Sequence, residues 1–162
     1  MPLGTREAKF WGQFKDGMRH VGQKNGFRIL IDRIESGMTG RGIPDIHMTD
    51  PELGDCWIEL KVAKGNTINL TPLQAKWLSE RSKAGCRCRI MALIVGPRGS
   101  AIRIWDGLNA HSVRDNGVVV CGSSFPEPFD WRAVRHALYW DISRHDAQKR
   151  QDVRDAMIAR IA

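Results

Sequence analysis

The stretch GIPDIHMTDPELGDCWIELK, residues 42 to 61, decides how the rest of the chain is read. Its second half alternates: Ile58, Leu60 and Val62 fall on one face, and Trp57, Glu59 and Lys61 on the other, which is the period-two pattern of a half-buried β-strand. The segment Thr49-Asp-Pro-Glu-Leu-Gly-Asp55 reads as an acidic turn, and Pro44 to Met48 reads as a strand before it. Two neighbouring strands joined by that turn would bring Asp45 and Glu59, fourteen residues apart, together at one end of a sheet. Lys61 then shares the Glu59 face, roughly 6.5 Å away at the Cα.

Working outward, Phe10, Phe14, Met18 and Val21 keep helical spacing within Thr5 to Val21, and the Gly22 to Gly26 region offers a stop. Phe27 to Ile34 reads as a strand running into a Gly-rich loop. On the other side of the central stretch, Thr71 as N-cap, Pro72 at the first helical position and Gln74 as the capping-box partner start a helix that should run to Ala84 and stop at Gly85. Ile90 to Val95 reads as a buried strand, followed by a Gly-Pro-Arg-Gly turn and a partner strand at Ala101 to Trp105. Residues 113 to 121 are expected to add an edge strand. Trp131, Val134, Leu138 and Ile142 keep helical spacing, continued by Val153, Met157 and Ile161. The expected class is α/β, a mixed sheet flanked by α-helices. Residues 1–110 should form the core and 111–162 a C-terminal extension of edge strand and helices on the same domain.

At 162 residues the chain fits one domain. The mean hydropathy of −0.36 and 27% charged residues exclude a disordered tail, and no apolar run approaches the roughly 18 residues of a membrane span. Nothing at the start resembles a secretory signal, so a cytoplasmic protein is the expectation. Net charge is +7, unevenly placed: residues 46–60 carry −4, and residues 61–103, directly after, carry +8. An acidic window beside a basic one suits metal ions next to a phosphate backbone, although any charge run can be a solvated face. Cys56, Cys86, Cys88 and Cys121 form no C-x-x-C, which argues for reduced thiols over zinc or disulfides.

Phosphodiester hydrolysis needs a divalent metal to bind phosphate oxygens and acidify a water, which calls for hard carboxylate ligands with open positions. Asp45 and Glu59 can supply them, with the Leu60 backbone carbonyl as a further ligand. Lys61 can orient the attacking water and stabilise developing charge. The tripeptide alone is weak, since Glu7-Ala-Lys9 also satisfies E-x-K, but its helical context spoils the same-face geometry. The structural alternative for Glu59 and Lys61 is an exposed strand face with an ion pair.

Pro44-Asp45, Glu59 and Lys61 stand in the motif order of the PD-(D/E)xK nucleases, which this chain resembles. More narrowly, Arg33-Ile-Glu-Ser36, Gly42-Ile-Pro-Asp45, Trp57-Ile-Glu-Leu-Lys61 and Leu70-Thr-Pro-Leu-Gln74-Ala-Lys-Trp77-Leu78 look like the small VRR-NUC nucleases of phages, themselves similar to archaeal-type Holliday junction resolvases. The resemblance covers about residues 5 to 107. It implies a restriction-endonuclease-like fold and cleavage of DNA with Mg²⁺, or Mn²⁺ in its place. It also implies a Glu on the first helix and a Ser before Pro-Asp at the metal site, by position Glu7 and Ser36. Glu7 can equally serve the helix macrodipole. Glu35 competes with Ser36, because only one of two successive strand residues can face the site. Gln74 takes the place of a Gln beside the active site in such nucleases, a role set against its capping box.

Arg41, Lys64, Lys76, Arg81, Lys83 and Arg98, with Arg87 and Arg89, are candidate DNA contacts, giving salt-dependent and sequence-tolerant binding. The six tryptophans are expected to pack in the core rather than stack on bases. The leading reading is therefore a metal-dependent DNA endonuclease selective for branched or junction DNA, acting as a homodimer because the C-terminal apolar rows exceed what a small core needs. The alternatives are a non-cleaving DNA-binding or assembly module on the same fold, and a recombinase using the sole tyrosine, Tyr139.

Overall fold

The computed structural model describes residues 3–34 and 42–140. Six strands form one mixed sheet whose spatial order follows the chain: β1 (Leu30–Arg33), β2 (Ile46–Asp50), β3 (Gly54–Val62), β4 (Cys88–Gly96), β5 (Gly99–Asp106) and β6 (Ser123–Pro126). Every neighbouring pair is antiparallel except β3 and β4, which are parallel, with Glu59 beside Ile90. A parallel pair needs a crossover, and α2 (Pro72–Lys83) supplies it. This is the expected α/β class, a mixed sheet flanked by helices.

Alternation along the strands builds two cores, one on each face. Ile58, Leu60 and Met91 join Phe10, Phe14 and Met18 of α1 (Leu3–Asn25) and Val134 and Leu138 of α4 (Trp131–Tyr139). Ile90, Ala92 and Trp105 join Ala75 and Leu78 of α2 and Val113 of α3 (Ala110–Asn116). β4 is buried on both faces, which is why its sequence is a continuous apolar run.

The expected elements are found with shifted ends and one substitution. α1 runs past Gly22, because that glycine lets the Phe27 carbonyl lie against the helix, and the helix stops instead at Gly26, where φ is +76°. The Phe27 N–H donates to the Gly22 carbonyl at 3.0 Å, so the first strand begins only at Leu30. The edge strand expected over residues 113–121 does not form. Those residues lie in α3 and a 3₁₀ turn at Gly117–Val119, and the edge strand is β6, paired to β5. Val118, Val119 and Val120 gave the segment its strand character, yet Val119 is 74% exposed, Val118 and Val120 are half-buried, and the side chains buried here are Ala110 and Val113, one helical turn apart. The Gly117 backbone lies directly against the Asn66 carbonyl, which accepts from the Val118 N–H at 2.9 Å, so pairing is spent on a loop.

Val134 and Leu138 are absorbed into the chain's own core, so this part of the apolar row needs no partner. Ile142, Val153, Met157 and Ile161 lie outside the described residues. The tryptophans pack as expected with one exception: Trp105 is sealed in the second core, Trp57 and Trp77 lie half-buried against it, Trp11 and Trp131 lie half-buried against the first, and Trp140 is exposed. Among the described residues, no helix is long and apolar enough to cross a membrane.

Candidate active site

Asp45 precedes β2, where the β2 to β3 ladder gives out at the pair Ile46 and Ile58. Its main-chain carbonyl still accepts from the Ile34 N–H at 2.7 Å, and its side chain takes over from the ladder, with Oδ2 accepting from the Leu60 N–H at 3.2 Å. Pro44, buried and without an N–H, makes no claim on that ladder. The loop reaches this point by crossing the start of α2: at Gly42, with φ +92°, a Cβ would meet the Leu73 carbonyl. Only glycine fits there.

Glu59 is fully buried. Its Oε1 accepts from Lys61 Nζ at 2.7 Å and from Gln74 Nε2 at 2.6 Å, while Oε2 is buried with no hydrogen-bond partner among the described residues. Burial pushes the Glu59 carboxyl up from 4.5 to about 8; the Lys61 ammonium works against this, and the neighbouring Asp45 carboxylate adds to it. The Lys61 side chain is 17% exposed, stem covered and head on the carboxylate. Gln74 holds both of its proposed places at once. Its Oε1 accepts from the Thr71 N–H at 2.9 Å, and Thr71 Oγ1 accepts from the Gln74 N–H at 3.1 Å, completing the capping box. Since Thr71 N–H can only donate, the amide must present its NH₂ to Glu59.

The donor set fits a hard divalent cation. A carboxylate oxygen that is buried, unpartnered and beside a second carboxylate is costly as an anion, and a metal held there would supply the missing positive charge. Within one strand residue the N–H and C=O point to the same neighbour, so the Leu60 carbonyl shares the Asp45 edge. The described residues hold no group of three or more acidic, His or Cys side chains able to bind one metal, so Glu7, half-buried on the second turn of α1, is not brought to Asp45 and Glu59. Glu35, Ser36 and Arg41 lie outside the described residues.

Lys64, Lys76, Arg81, Lys83 and Arg98 are all exposed. Lys64 and Arg98 lie beyond the end of β3 and β4 that holds Lys61, whereas Arg81 and Lys83 lie on the last turn of α2, towards the other end. Two cations read as DNA contacts are instead structural. Arg89 is buried, bonded to Asp106 at 3.0 Å and to the Trp140 carbonyl at 3.4 Å, and Arg87 donates to the carbonyls of Leu53 and Asp55 and lies over the Tyr139 ring. A guanidinium's five donors suit such bracing. Tyr139 itself is buried with its hydroxyl unpartnered among the described residues, and burial raises its pKa, which is opposite to what a nucleophile needs. The four cysteines are free thiols.

Sequence reasoning had Gly42 only as part of a motif, with no role of its own, and expected Trp57 to pack in the core; the ring does pack against the second core, but it stays half-buried on the site face. No protein family matches the chain, and no curated protein does. Among solved structures it is similar to Hjc, a Holliday junction resolvase of the archaeal hyperthermophile Archaeoglobus fulgidus. The identity is 16%, the match covers 72% of this chain and 88% of that one, and the TM-score is 0.42.

Proposed function

We propose that the chain is a metal-dependent DNA endonuclease, with Asp45, Glu59 and the Leu60 carbonyl as ligands for Mg²⁺, or for Mn²⁺ in its place. The observation that carries this reading is the buried, unpartnered Glu59 Oε2 beside Asp45, with Lys61 on the other oxygen. Bound Mg²⁺ supplies Lewis-acid polarisation of a phosphate oxygen and lowers the pKa of a water. Lys61, held against Glu59, keeps a cation at the reacting phosphate and can donate to the oxygen that gains charge. Gln74 fixes the Glu59 carboxylate in one orientation, so that its free oxygen stays directed to the ligand position. The exposed cations on either side hold DNA through its phosphates. The preferred substrate is branched or junction DNA, cut by a pair of copies.

The test is incubation of the purified chain with junction, nicked, linear and single-stranded DNA, with Mg²⁺, Mn²⁺ or EDTA. Metal-dependent cutting should fall at least about a hundredfold in Asp45→Ala and Lys61→Ala. Full activity in either variant rejects the site, and binding without cutting under any metal favours a non-cleaving module. A monomer at micromolar concentration on DNA would reject the pair.

A further inference from the structure

The sheet face that carries Asp45 and Glu59 also carries a row of aromatic rings. Register sets His47 opposite Trp57, one two residues after Asp45 and the other two before Glu59, with ring centroids 4.6 Å apart. α2 adds Trp77, three residues after Gln74, edge-on to Trp57 at 5.5 Å, and the Arg81 guanidinium lies 5.1 Å from the Trp77 ring centre. Asp55, 3.5 Å from His47 Nε2, anchors the imidazole at the other end.

This row is not sealed as a core would be. The His47 side chain is 27% exposed and both tryptophans are half-buried, whereas Trp105, in the same core layer, is 1% exposed. Leu30 and Asp32, which register places on this face of β1 opposite Thr49 and His47, are exposed, so the row opens outward across β2 to the edge of the sheet. Packing against the second core accounts for where Trp57 and Trp77 sit. It does not account for both rings staying half open together with His47, with a guanidinium over the outer one.

Cations suffice to bind phosphates, and ring faces add nothing towards a duplex whose bases are stacked inside it. They add a great deal towards a base that has left the stack, whatever its identity, because every base has a π-face. The row begins one side-chain repeat along each strand from the carboxylates, roughly 6.5 Å at the Cα, so a base held there is next to a phosphate held at the site. We propose that His47, Trp57 and Trp77 take an unpaired nucleobase adjacent to the phosphodiester presented to Asp45 and Glu59. The chain then acts where a strand is unpaired, at a fork, branch point or gap, and not within uninterrupted duplex. The inference rests on the nuclease reading for the presence of DNA at the site; base stacking is its own content.

The test uses the whole chain in EDTA, so that nothing is cut, titrated against a forked oligonucleotide with 2-aminopurine at one unpaired position beside the branch. Stacking quenches the probe on binding. Trp77→Leu, which keeps an apolar contact under α2, should abolish the quench and weaken fork binding about tenfold, with blunt duplex binding unchanged. His47→Ala, at the part-exposed start of the row, should weaken fork binding about threefold with blunt duplex binding unchanged, and serves if Trp77→Leu proves poorly folded by its melting curve. No quench in the unaltered chain, or fork affinity untouched by either substitution, overturns the proposal. Cleavage is scored separately: quenching without cutting under any metal rejects the nuclease reading and leaves the base platform, and cutting without quenching does the reverse.

Discussion

Glu59 is the residue on which stability and chemistry conflict. Its folded-state value of about 8 lies above its ordinary 4.5, so the folded chain holds a proton that the unfolded chain has lost. Stability from this group is therefore fully present below about pH 4.5 and is lost as the pH rises through about 8. Glu59→Gln removes the carboxylate and with it this slope. In EDTA the variant should match the unaltered chain near pH 4.5 and exceed it by up to about 3 kcal/mol at pH 7, a gain of several degrees in Tm, while cutting is lost. Parallel stability curves from pH 5 to 8 would show that Glu59 is not strained by burial. On the proposed nuclease reading a metal would have to displace that proton, so metal affinity should rise over the same pH range.

At the scale of elements, the start of α2 joins helix formation to the site through one side chain. Thr71→Ala and Gln74→Ala each remove one bond of the capping box and should each cost about 1 kcal/mol in denaturant unfolding. Their effects on cutting should separate: Thr71→Ala leaves the Gln74 bond to Glu59 in place and stays near full activity, whereas Gln74→Ala loses at least about tenfold. Equal losses would mean that Gln74 acts only through the helix. The capping signal was fully legible in Thr-Pro-Leu-Gln, because caps are local. The reach of the same amide to Glu59, fifteen residues back, depends on how the crossover packs on the sheet.

Across the whole molecule, α4 is fastened to the far end of β2 by a buried ion pair. Arg135 donates to both oxygens of Asp50, at 2.6 and 2.9 Å, and to Glu52 at 2.8 Å, with Asp50 1% and Arg135 6% exposed. Burial by itself raises the Asp50 carboxyl, but the Arg135 hydrogen bonds and the N–H groups of Glu52 and Leu53 outweigh it and hold it below 3.8. A lowered carboxylate contributes stability above its unfolded value and loses it as the pH falls through the folded one, so this clamp weakens in acid below about pH 4. Arg135→Met leaves Asp50 buried without its counter-charge and should cost about 3–5 kcal/mol at pH 7, less towards pH 3. A cost under 1 kcal/mol at pH 7 would show that α4 does not depend on the pair. Along the chain Arg135 is one of seven basic residues against five acidic ones in residues 130–162, and nothing local pairs it with an acid eighty-five positions earlier.

All but one of the elements, and the line-up of the candidate site, could be read along the chain alone. Alternation from Trp57 to Lys61, the capped start of α2 and the apolar run of β4 are local patterns, and local patterns survive in one dimension. Asp45, Glu59 and Lys61 were legible because a short turn between strands leaves little freedom in register. What each charge and ring is placed to do came from packing in three dimensions. It turned Arg87 and Arg89 from DNA contacts into braces, spent the valines of residues 118–120 on a turn, left Trp57 half open beside the catalytic candidates, and buried Glu59 with one oxygen unanswered. Burial and pairing depend on residues distant in the chain, and it is burial that gives a carboxylate an unusual proton affinity and a ring an exposed face.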